Sequence, residues 1–353
     1  MTVISGFEID DIYYIPNNVR NAIRNNKPVM EKLHVVIVIS NPCQYARRYV
    51  LAREFIQRIE KEETNVVLYV AELAYKLPGQ KPHGFHVTEA NNPRHLQILT
   101  DKPPLWIKES LVNVAIKKLL PSDWKAAAWI DSDIEFDSDS WALDTLKLLN
   151  GSYDIVQLFS HALDMNPKLD PMSIFTSFGY QYSHRREYKM GGIHYWHPGF
   201  AYAITRKAYD AIGGLYDVSI LGSGDQNMAL SFIGKGLKSL NQETTDAYKN
   251  SLQEYQDKCL NFGIKLGYTP GIIRHHFHGS KKNRKYSERW KLLVKHQYDP
   301  VMHTTRDQYG LVCPSSECPQ ELLDDIMSYF LERNEDEGFM DAGGMMEKLS
   351  LKE

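Results

Sequence analysis

An almost uninterrupted run of apolar, mostly β-branched residues, "LHVVIVIS" at 33–40, constrains the fold of this chain most strongly. A strand that is apolar nearly throughout must be covered on both faces, as in a parallel sheet, because a half-exposed strand would alternate with polar residues. The run stops at Asn41-Pro42, and "YARRYVLAREFIQRIEKEE" follows with apolar residues at roughly helical spacing. "NVVLYVAEL" is then a second strand, so this segment is predicted to be a βαβ unit.

The alternation continues through the strand "HLQILT", a helix over "SLVNVAIKKLLP" and the strand "AAAWID". Strands that alternate with helices predict a three-layer α/β domain with a mostly parallel central sheet. Ligands of such sheets bind at the carboxyl ends of the strands, where Asn41, Glu72 and Asp131 are expected to fall. The sequence contains neither GxGxxG nor GxxxxGKS/T, which removes the best support for a dinucleotide-binding fold or a P-loop.

Composition indicates a folded globular protein and excludes little else. The chain of 353 residues is 43% hydrophobic and 11% aromatic, enough for a substantial core. Its formal net charge of -3 does not indicate nucleic acid or an anionic membrane as the partner. Because no apolar run approaches the roughly 20 residues of a membrane span and the N-terminus is acidic, we expect a soluble, cytoplasmic protein. The four cysteines are scattered, so we expect reduced thiols rather than a zinc site.

Four acids follow the strand "AAAWID" in close succession, and they are Asp131, Asp133, Glu135 and Asp137. Residues spaced two apart point to the same face of a strand, where like charges repel one another. Either the strand ends at Asp131 and the acids line a solvated edge, or a cation binds there. The segment alone leaves both interpretations open.

"RHHFHGSKKNR" at 274–284 places three histidines ahead of Gly279 and a basic run. By itself the segment is compatible with a nucleic-acid-binding loop or a solvated basic loop. Together with the acids it predicts the two halves of a site for a divalent metal and a phosphate, since carboxylates and an imidazole suit Mn²⁺ or Mg²⁺. The basic residues Lys281, Lys282, Arg284 and Lys285 would neutralise a leaving diphosphate. We expect this basic loop to be mobile until a nucleotide is bound.

These segments carry a resemblance to a known family. "WIKESLVNVAIKKLLPSDWKAAAWIDSD", which ends in a DxD motif, resembles the centre of the nucleotide-sugar glycosyltransferases of the A-type (GT-A) fold. "HPGFAYAITRKAYDAIGGLYDVSILGSGDQNMALSF" is similar to their acceptor segment, and "HHFHGSKKNRKYSERWKLL" to their late His-Gly metal motif. The resemblance covers roughly residues 33–312 and implies a Rossmann-like α/β/α domain with a mostly parallel mixed sheet.

The resemblance implies a metal site made by Asp131, Asp133 and His278. Asp133 would bind the metal directly, and Asp131 would contact ribose or a metal-bound water. His278, immediately before a glycine, would be the third protein ligand. His275 and His276 are the alternatives to His278.

Asp225 matches the position of the catalytic base in inverting members of the family. Many relatives carry two adjacent acids there, whereas this chain has Gly224-Asp225-Gln226. The start of the following helix can still hold the carboxylate toward an acceptor hydroxyl. An ordinary helix N-cap is the other interpretation of this residue.

Further residues are expected around the donor and the acceptor. The expected contacts to the sugar nucleotide are Asn41, Glu72, Lys108, Asn113, Asp131, Lys281 and Lys282. A plain surface acid is the competing interpretation of Glu72, and a solvated charge at a helix start is that of Lys108. Trp196 and His197 would stack on the acceptor sugar, because an aromatic face suits the C–H face of a pyranose; core packing is the alternative for Trp196.

The sequence therefore predicts a metal-dependent glycosyltransferase that moves a hexose or pentose from a nucleotide diphosphate donor, with UDP favoured, to a glycan or other hydroxyl acceptor, with inversion. A metal-dependent nucleotidyltransferase and a non-catalytic carbohydrate-binding protein are the alternatives. We expect an N-terminal lead at 1–32 and a catalytic domain at 33–312, divided into a nucleotide-sugar half at 33–150 and an acceptor half at 151–312. A short helix and an acidic flexible tail are expected at 313–353.

Overall fold

The computed structural model describes residues 2–9, 15–192 and 194–337. Its strands are β1 (Thr2–Ile4), β2 (Phe7–Ile9), β3 (Leu33–Ser40), β4 (Val66–Tyr75), β5 (His95–Thr100), β6 (Ala126–Ile130), β7 (Ile134–Phe136), β8 (Ile155–Gln157), β9 (His161–Met165), β10 (Pro171–Ser177), β11 (Trp196–His197), β12 (Ala201–Thr205), β13 (Leu266–Tyr268), β14 (Ile272–His275), β15 (Thr304–Arg306) and β16 (Val312–Pro314). Its α-helices are α1 (Asn17–Asn25), α2 (Ala46–Glu62), α3 (Lys108–Leu119), α4 (Trp141–Leu148), α5 (Phe178–Ser183), α6 (Arg206–Ile212), α7 (Gly224–Phe232), α8 (Asp246–Phe262), α9 (Tyr286–Lys295) and α10 (Gln320–Glu332), with 3-10 turns at Gly236–Ser239 and Lys281–Arg284. Within these ranges, every helix is too short or too polar to span a lipid bilayer.

Seven strands of the described residues form the central sheet, in the order β13-β8-β12-β6-β3-β4-β5. Neighbouring strands are parallel except at β12, which runs antiparallel to both β8 and β6. The prediction of an α/β fold with a mostly parallel mixed sheet is therefore confirmed. β3 is the apolar run "LHVVIVIS", and its interior position, between β6 and β4, explains why it is apolar.

Helices cover both faces of this sheet. On one face, Val36 of β3 packs in the same core as Leu111 of α3. On the other face, Val35 and Ile37 pack in the core that contains Phe55 of α2. All five side chains are at most 1% exposed, and each stabilises the fold by about 1.5–3 kcal/mol relative to an exposed position. The layers are thus helix, sheet and helix.

The turn at residues 131–133, which contains Asp131 and Asp133 and is called the acidic turn below, lies where the central sheet meets a second sheet. This second sheet, counted over the described residues, has five strands in the order β11-β10-β9-β14-β7. β6 ends at Ile130 in the central sheet, residues 131–133 turn, and β7 begins the second sheet at Ile134. β14 pairs antiparallel with β7 and parallel with β9, so it passes directly beside the turn.

The last described residues, 333–337, lie against the start of α2. The hydroxyl of Tyr45 donates hydrogen bonds of 2.8 Å to two carbonyls at the end of α10. The carboxylate of Asp336 accepts the first two backbone amides of α2 at 3.0 and 2.9 Å, and the helix dipole favours an anion at that position. The acidic tail expected beyond this contact, at 338–353, lies outside the described residues.

Glu335 is the centre of this contact and is only 1% exposed. Its carboxylate accepts hydrogen bonds from Arg48 at 2.7 Å and from Arg333 at 2.5 Å. Both guanidinium groups also lie over the ring of Trp106, at 5.8 and 4.8 Å from its centroid. Burial alone would raise the pKa of Glu335, but the two guanidiniums hold it well below its usual range. A buried anion between two cations thus holds the C-terminal segment against the start of α2.

Replacing Glu335 with Gln should destabilise the protein by about 3 kcal/mol at neutral pH, because the buried Arg333 and the partly buried Arg48 lose the anion that they share. Since the pKa of Glu335 is lower in the folded protein than in the unfolded chain, its stabilising contribution is complete above about pH 5 and declines as the pH falls below roughly 4.3. Urea denaturation at several pH values measures this effect. The difference between wild type and Glu335→Gln should shrink with falling pH.

The exposed Glu332, the last residue of α10, provides the control, because Glu332→Gln removes an acid whose ion pair with Lys285 lies at the surface and leaves the buried ion pair intact. A difference between wild type and Glu335→Gln that stays constant from neutral to acidic pH would contradict the ion-pair explanation.

Candidate active site

A cavity of about 510 Å³ opens at the carboxyl ends of β3 and β6, a size typical of ligand pockets. Acids and histidines line it where the two sheets meet, basic side chains line it beside the C-terminal segment, and aromatic rings line it near α7. Among the residues predicted from the sequence, those that line this cavity are Asn41, Lys108, Asp131, Asp133, His197, Asp225, His278, Lys281 and Arg284, together with His275, the alternative to His278.

The pairing of β14 with β7 brings two histidines to Asp133. His275 is paired with Ile134, the residue after Asp133, and the amide of His276 donates a hydrogen bond of 2.7 Å to the Asp133 carbonyl. Asp133 Oδ2 lies 3.0 Å from His278 Nε2 and 3.9 Å from His275 Nε2. One ligand atom from each of these three residues falls within 4.8 Å of the others. We refer to Asp133, His275 and His278 as the metal-ligand group.

The metal-ligand group fits a divalent cation. Asp133 Oδ1 is buried and has no hydrogen-bond partner within the described part of the chain, so an acceptor is left for a cation. Burial and the neighbouring Arg284 lower the pKa of His278 to about 4, so its ring is neutral at pH 7, as a metal ligand must be. Two imidazoles with one carboxylate suit Mn²⁺ better than Mg²⁺, which prefers oxygen ligands.

Asp131 was predicted as part of the metal site, and the structure places its carboxylate next to Lys108. Lys108 Nζ donates a hydrogen bond of 3.2 Å to Asp131 Oδ1. Burial raises the pKa of Asp131 to about 6, although Lys108 opposes that shift. Asp131 and Asp133 remain neighbours on the same turn, and a role of Asp131 toward ribose or a metal-bound water stays a prediction.

The other two acids of the run have a different partner. Arg274 of β14 lies 3.0 Å from the carboxylate of Asp137 and 3.9 Å from that of Glu135. Glu135 Oε2 also lies 3.4 Å from His276 Nε2, which turns this histidine away from the metal-ligand group. The four acids therefore divide into two that face the cavity and two that pair with β14.

Asp225 lies in the first turn of α7 and faces the cavity. Lys108 Nζ donates a hydrogen bond of 3.0 Å to Asp225 Oδ2, so one ammonium connects Asp225 with Asp131. A side chain at Gly199 would place its Cβ only 3.0 Å from the same carboxylate oxygen. The absence of a side chain at position 199 thus leaves room for the carboxylate of Asp225.

The basic loop contributes two cations to the cavity. Lys281 Nζ lies 2.5 Å from the carboxylate of Asp164, and Arg284 donates a hydrogen bond of 2.9 Å to His278 Nε2. Lys282, by contrast, is exposed and lies outside the cavity lining. The mobility expected for this loop without nucleotide remains a prediction.

Three predicted residues lie away from the cavity lining and are used elsewhere in the fold. The carboxylate of Glu72 accepts the backbone amides of residues 86–88 at 2.7, 3.0 and 2.8 Å. Asn113 is buried and holds the backbone of Leu215 through two hydrogen bonds of 2.9 Å. Trp196 is 4% exposed and packs edge-on against Phe178. Their contacts are structural, whereas His197 does line the cavity.

Several cavity residues were not singled out from the sequence. Arg48, Arg289, Arg333 and Glu109 all line it. Glu109 is 2% exposed, and burial raises its pKa to about 8. Asp164 is the one with a readable signal, because an acid within the apolar strand "HALDM" needs a buried partner.

No protein-family model matches the chain, and comparison with curated protein sequences finds no relative. Similar solved structures include the catalytic domain of Drosophila β1,4-galactosyltransferase 7 in complex with xylobiose, with a TM-score of 0.39 and 8% identity, covering 84% of this chain and 99% of that chain. Another is the mannosyltransferase PcManGT from Pyrobaculum calidifontis in complex with GDP-Man and Mn²⁺, with a TM-score of 0.39 and 12% identity, covering 79% of this chain and 68% of that chain. The likeness is remote at these scores, and the chemistry of this chain has to follow from its own residues.

Mn²⁺ binding without nucleotide tests the metal-ligand group. Replacing Asp133 with Asn should weaken Mn²⁺ binding by at least about tenfold, because it removes a charged ligand atom. Glu135→Gln, two residues away and paired with Arg274, should leave the affinity within about twofold of wild type. Isothermal titration calorimetry measures both variants, and equal losses in the two would contradict the assignment.

Proposed function

We propose that this chain is a metal-dependent glycosyltransferase that transfers a sugar from a UDP-linked donor to a hydroxyl group of a glycan or another acceptor, with inversion at the anomeric carbon. The proposal is supported best by one observation, the meeting of three kinds of group in a single cavity. These are the metal-ligand group, the cations of the basic loop, and a separate carboxylate, Asp225. Such a set suits departure of a diphosphate from one side and activation of a hydroxyl on the other.

The diphosphate of the donor is proposed to lie beside the metal-ligand group. A divalent ion held there would neutralise charge that develops on the leaving diphosphate. Lys281 and Arg284 bring positive charge to the same part of the cavity, where charge-assisted hydrogen bonds to phosphate are strong. The nucleoside would occupy the part of the cavity lined by Asn41, with Asp131 near its ribose.

Asp225 is proposed to act as the general base. Its carboxylate takes the proton of the acceptor hydroxyl while the hydroxyl oxygen forms a bond to C1 of the donor sugar. The bond between C1 and the diphosphate oxygen breaks, and its electron pair goes to the leaving diphosphate. Attack and departure on opposite faces of C1 invert its configuration. Lys108 fixes the Asp225 carboxylate at the cavity by its hydrogen bond.

The acceptor sugar is proposed to stack near His197. The ring of His197 lies 4.1 Å from that of Phe200 and nearly parallel to it, and both rings line the cavity. Burial lowers the pKa of His197 well below its usual value, so the ring is neutral and suited to packing on a sugar face. Gly199 places the same wall next to Asp225.

Release of nucleoside diphosphate from a panel of nucleotide sugars tests the function directly. Incubation with Mn²⁺ and an acceptor library should release UDP from a UDP-sugar, and EDTA should abolish the release. Formation of UTP and a sugar 1-phosphate when inorganic pyrophosphate is added to a UDP-sugar would instead indicate a nucleotidyltransferase. Sugar binding that needs no metal and releases no nucleotide would indicate a carbohydrate-binding protein. Either of these two outcomes would overturn the proposal.

Replacing Asp225 with Asn should lower the rate of glycosyl transfer by roughly 10²-fold or more, because Asn keeps the size of the side chain but cannot take a proton. Donor affinity should change little. Asp246→Asn is the matched control, since Asp246 also lies in the first turn of a helix, α8, but is exposed. Near wild-type transfer by Asp225→Asn would show that the base is elsewhere; loss of donor binding would place Asp225 in the nucleotide site.

A further inference from the structure

Asp164 is a buried acid in the strand β9, with only 3% of its surface exposed. β9 runs parallel to β14, and their register pairs Asp164 with His275. Asp164 Oδ1 accepts a hydrogen bond of 2.6 Å from His275 Nδ1. Its second oxygen, Oδ2, lies 2.5 Å from Lys281 Nζ. One oxygen therefore contacts a histidine of the metal-ligand group, and the other contacts the basic loop.

The hydrogen bond to Asp164 decides which nitrogen of His275 is free for a cation. When Nδ1 carries the proton, the lone pair is on Nε2, and Nε2 lies on the side of Asp133, 3.9 Å from its carboxylate. The ring of Phe200 lies 4.6 Å from the ring of His275 and packs against it. A metal-binding histidine commonly donates its other N–H to a carboxylate, which fixes the orientation and tautomer of the ring.

We propose that Asp164 is a positioning residue that holds His275 in the orientation and tautomer needed to bind a divalent cation, and that it anchors Lys281 beside the same cation. The first part concerns cation binding alone. The second part rests on the proposed function, in which Lys281 faces the diphosphate of the donor. One buried carboxylate thus sets the position of a cation ligand and of a phosphate-facing ammonium.

Calorimetry with Mn²⁺ alone, on the full chain, tests the first part. Asp164→Ala should weaken Mn²⁺ binding by about 10–100-fold, the usual effect of losing such a partner. The Mn²⁺ affinity of Asp164→Asn should fall between those of Asp164→Ala and wild type, because an amide oxygen can still accept a hydrogen bond from the Nδ1–H group. Asp170→Asn, in the exposed turn that joins β9 to β10, is the control and should bind like wild type. Wild-type affinity in both Asp164 variants would overturn the proposal.

Nitrogen NMR of histidine-labelled, metal-free protein separates positioning from a general loss of structure. In wild type, the His275 signals should show a proton on Nδ1, the nitrogen that faces Asp164, with His275→Gln used to assign them. In Asp164→Ala, the proton should move to Nε2 in a substantial fraction of molecules, while the other histidine signals stay in place. An unchanged His275 tautomer in Asp164→Ala, or a wild-type tautomer protonated on Nε2, would contradict the proposed role.

The Lys281→Met variant tests the second part. Mn²⁺ alone should bind it within about twofold of wild type, whereas UDP in the presence of Mn²⁺ should bind at least about tenfold more weakly, because one cation facing the phosphates is lost. Equal UDP affinity would overturn the second part, because an ammonium that does not contribute to UDP binding does not face the phosphates. Failure of the proposed glycosyl transfer would be recognised separately, since the Mn²⁺ affinities and the His275 tautomer do not depend on any reaction.

Discussion

The antiparallel pairing of β14 with β7 is the constraint on which the site depends. β7 begins directly after the acidic turn, so the register that pairs His275 with Ile134 also fixes the position of His275 and His278 relative to Asp133. A register change of one residue would turn every side chain of β14 to the opposite face. The parallel pairing of β14 with β9 then adds Asp164 behind His275. The metal-ligand group is thus brought together by strand pairing between residues that are far apart in the sequence.

Basic side chains reduce the repulsion between the acids that lie close together where the two sheets meet. Lys108 lies between Asp131 and Asp225, and Arg274 lies between Glu135 and Asp137. At a partly buried position such contacts are stronger than in water, and an unpaired carboxylate would be costly. Asp133 differs from the others because one of its oxygens is buried without a partner among the described residues. A cation bound at Asp133 would therefore gain more interaction energy than one bound at any of the other acids.

The sequence predicts the central part of the fold and the acidic side of the cavity. The apolar run of β3 predicts a covered parallel strand, and acids that follow a strand predict a ligand edge, since both signals are local. Glu72 and Asn113 show the limit, because their hydrogen bonds go to loop backbones whose course the sequence does not reveal. The pairing of Arg48 with Glu335 spans 287 residues and leaves no local pattern. Whether His275 or His276 faces Asp133 depends on the register between β14 and β7. The sequence His275-His276-Phe277 is compatible with either register and does not specify it.

Anomalous X-ray scattering from crystals grown with Mn²⁺ and UDP tests the central claim most directly, because it locates the ion without reference to any reaction. We expect one strong anomalous peak in the cavity, within bonding distance of a carboxylate oxygen of Asp133, of Nε2 of His275 and of a ring nitrogen of His278. A peak bound by Asp131 and Asp133 without either histidine, or a cavity that holds UDP with no peak beside its phosphates, would show that Asp133, His275 and His278 do not form the cation site.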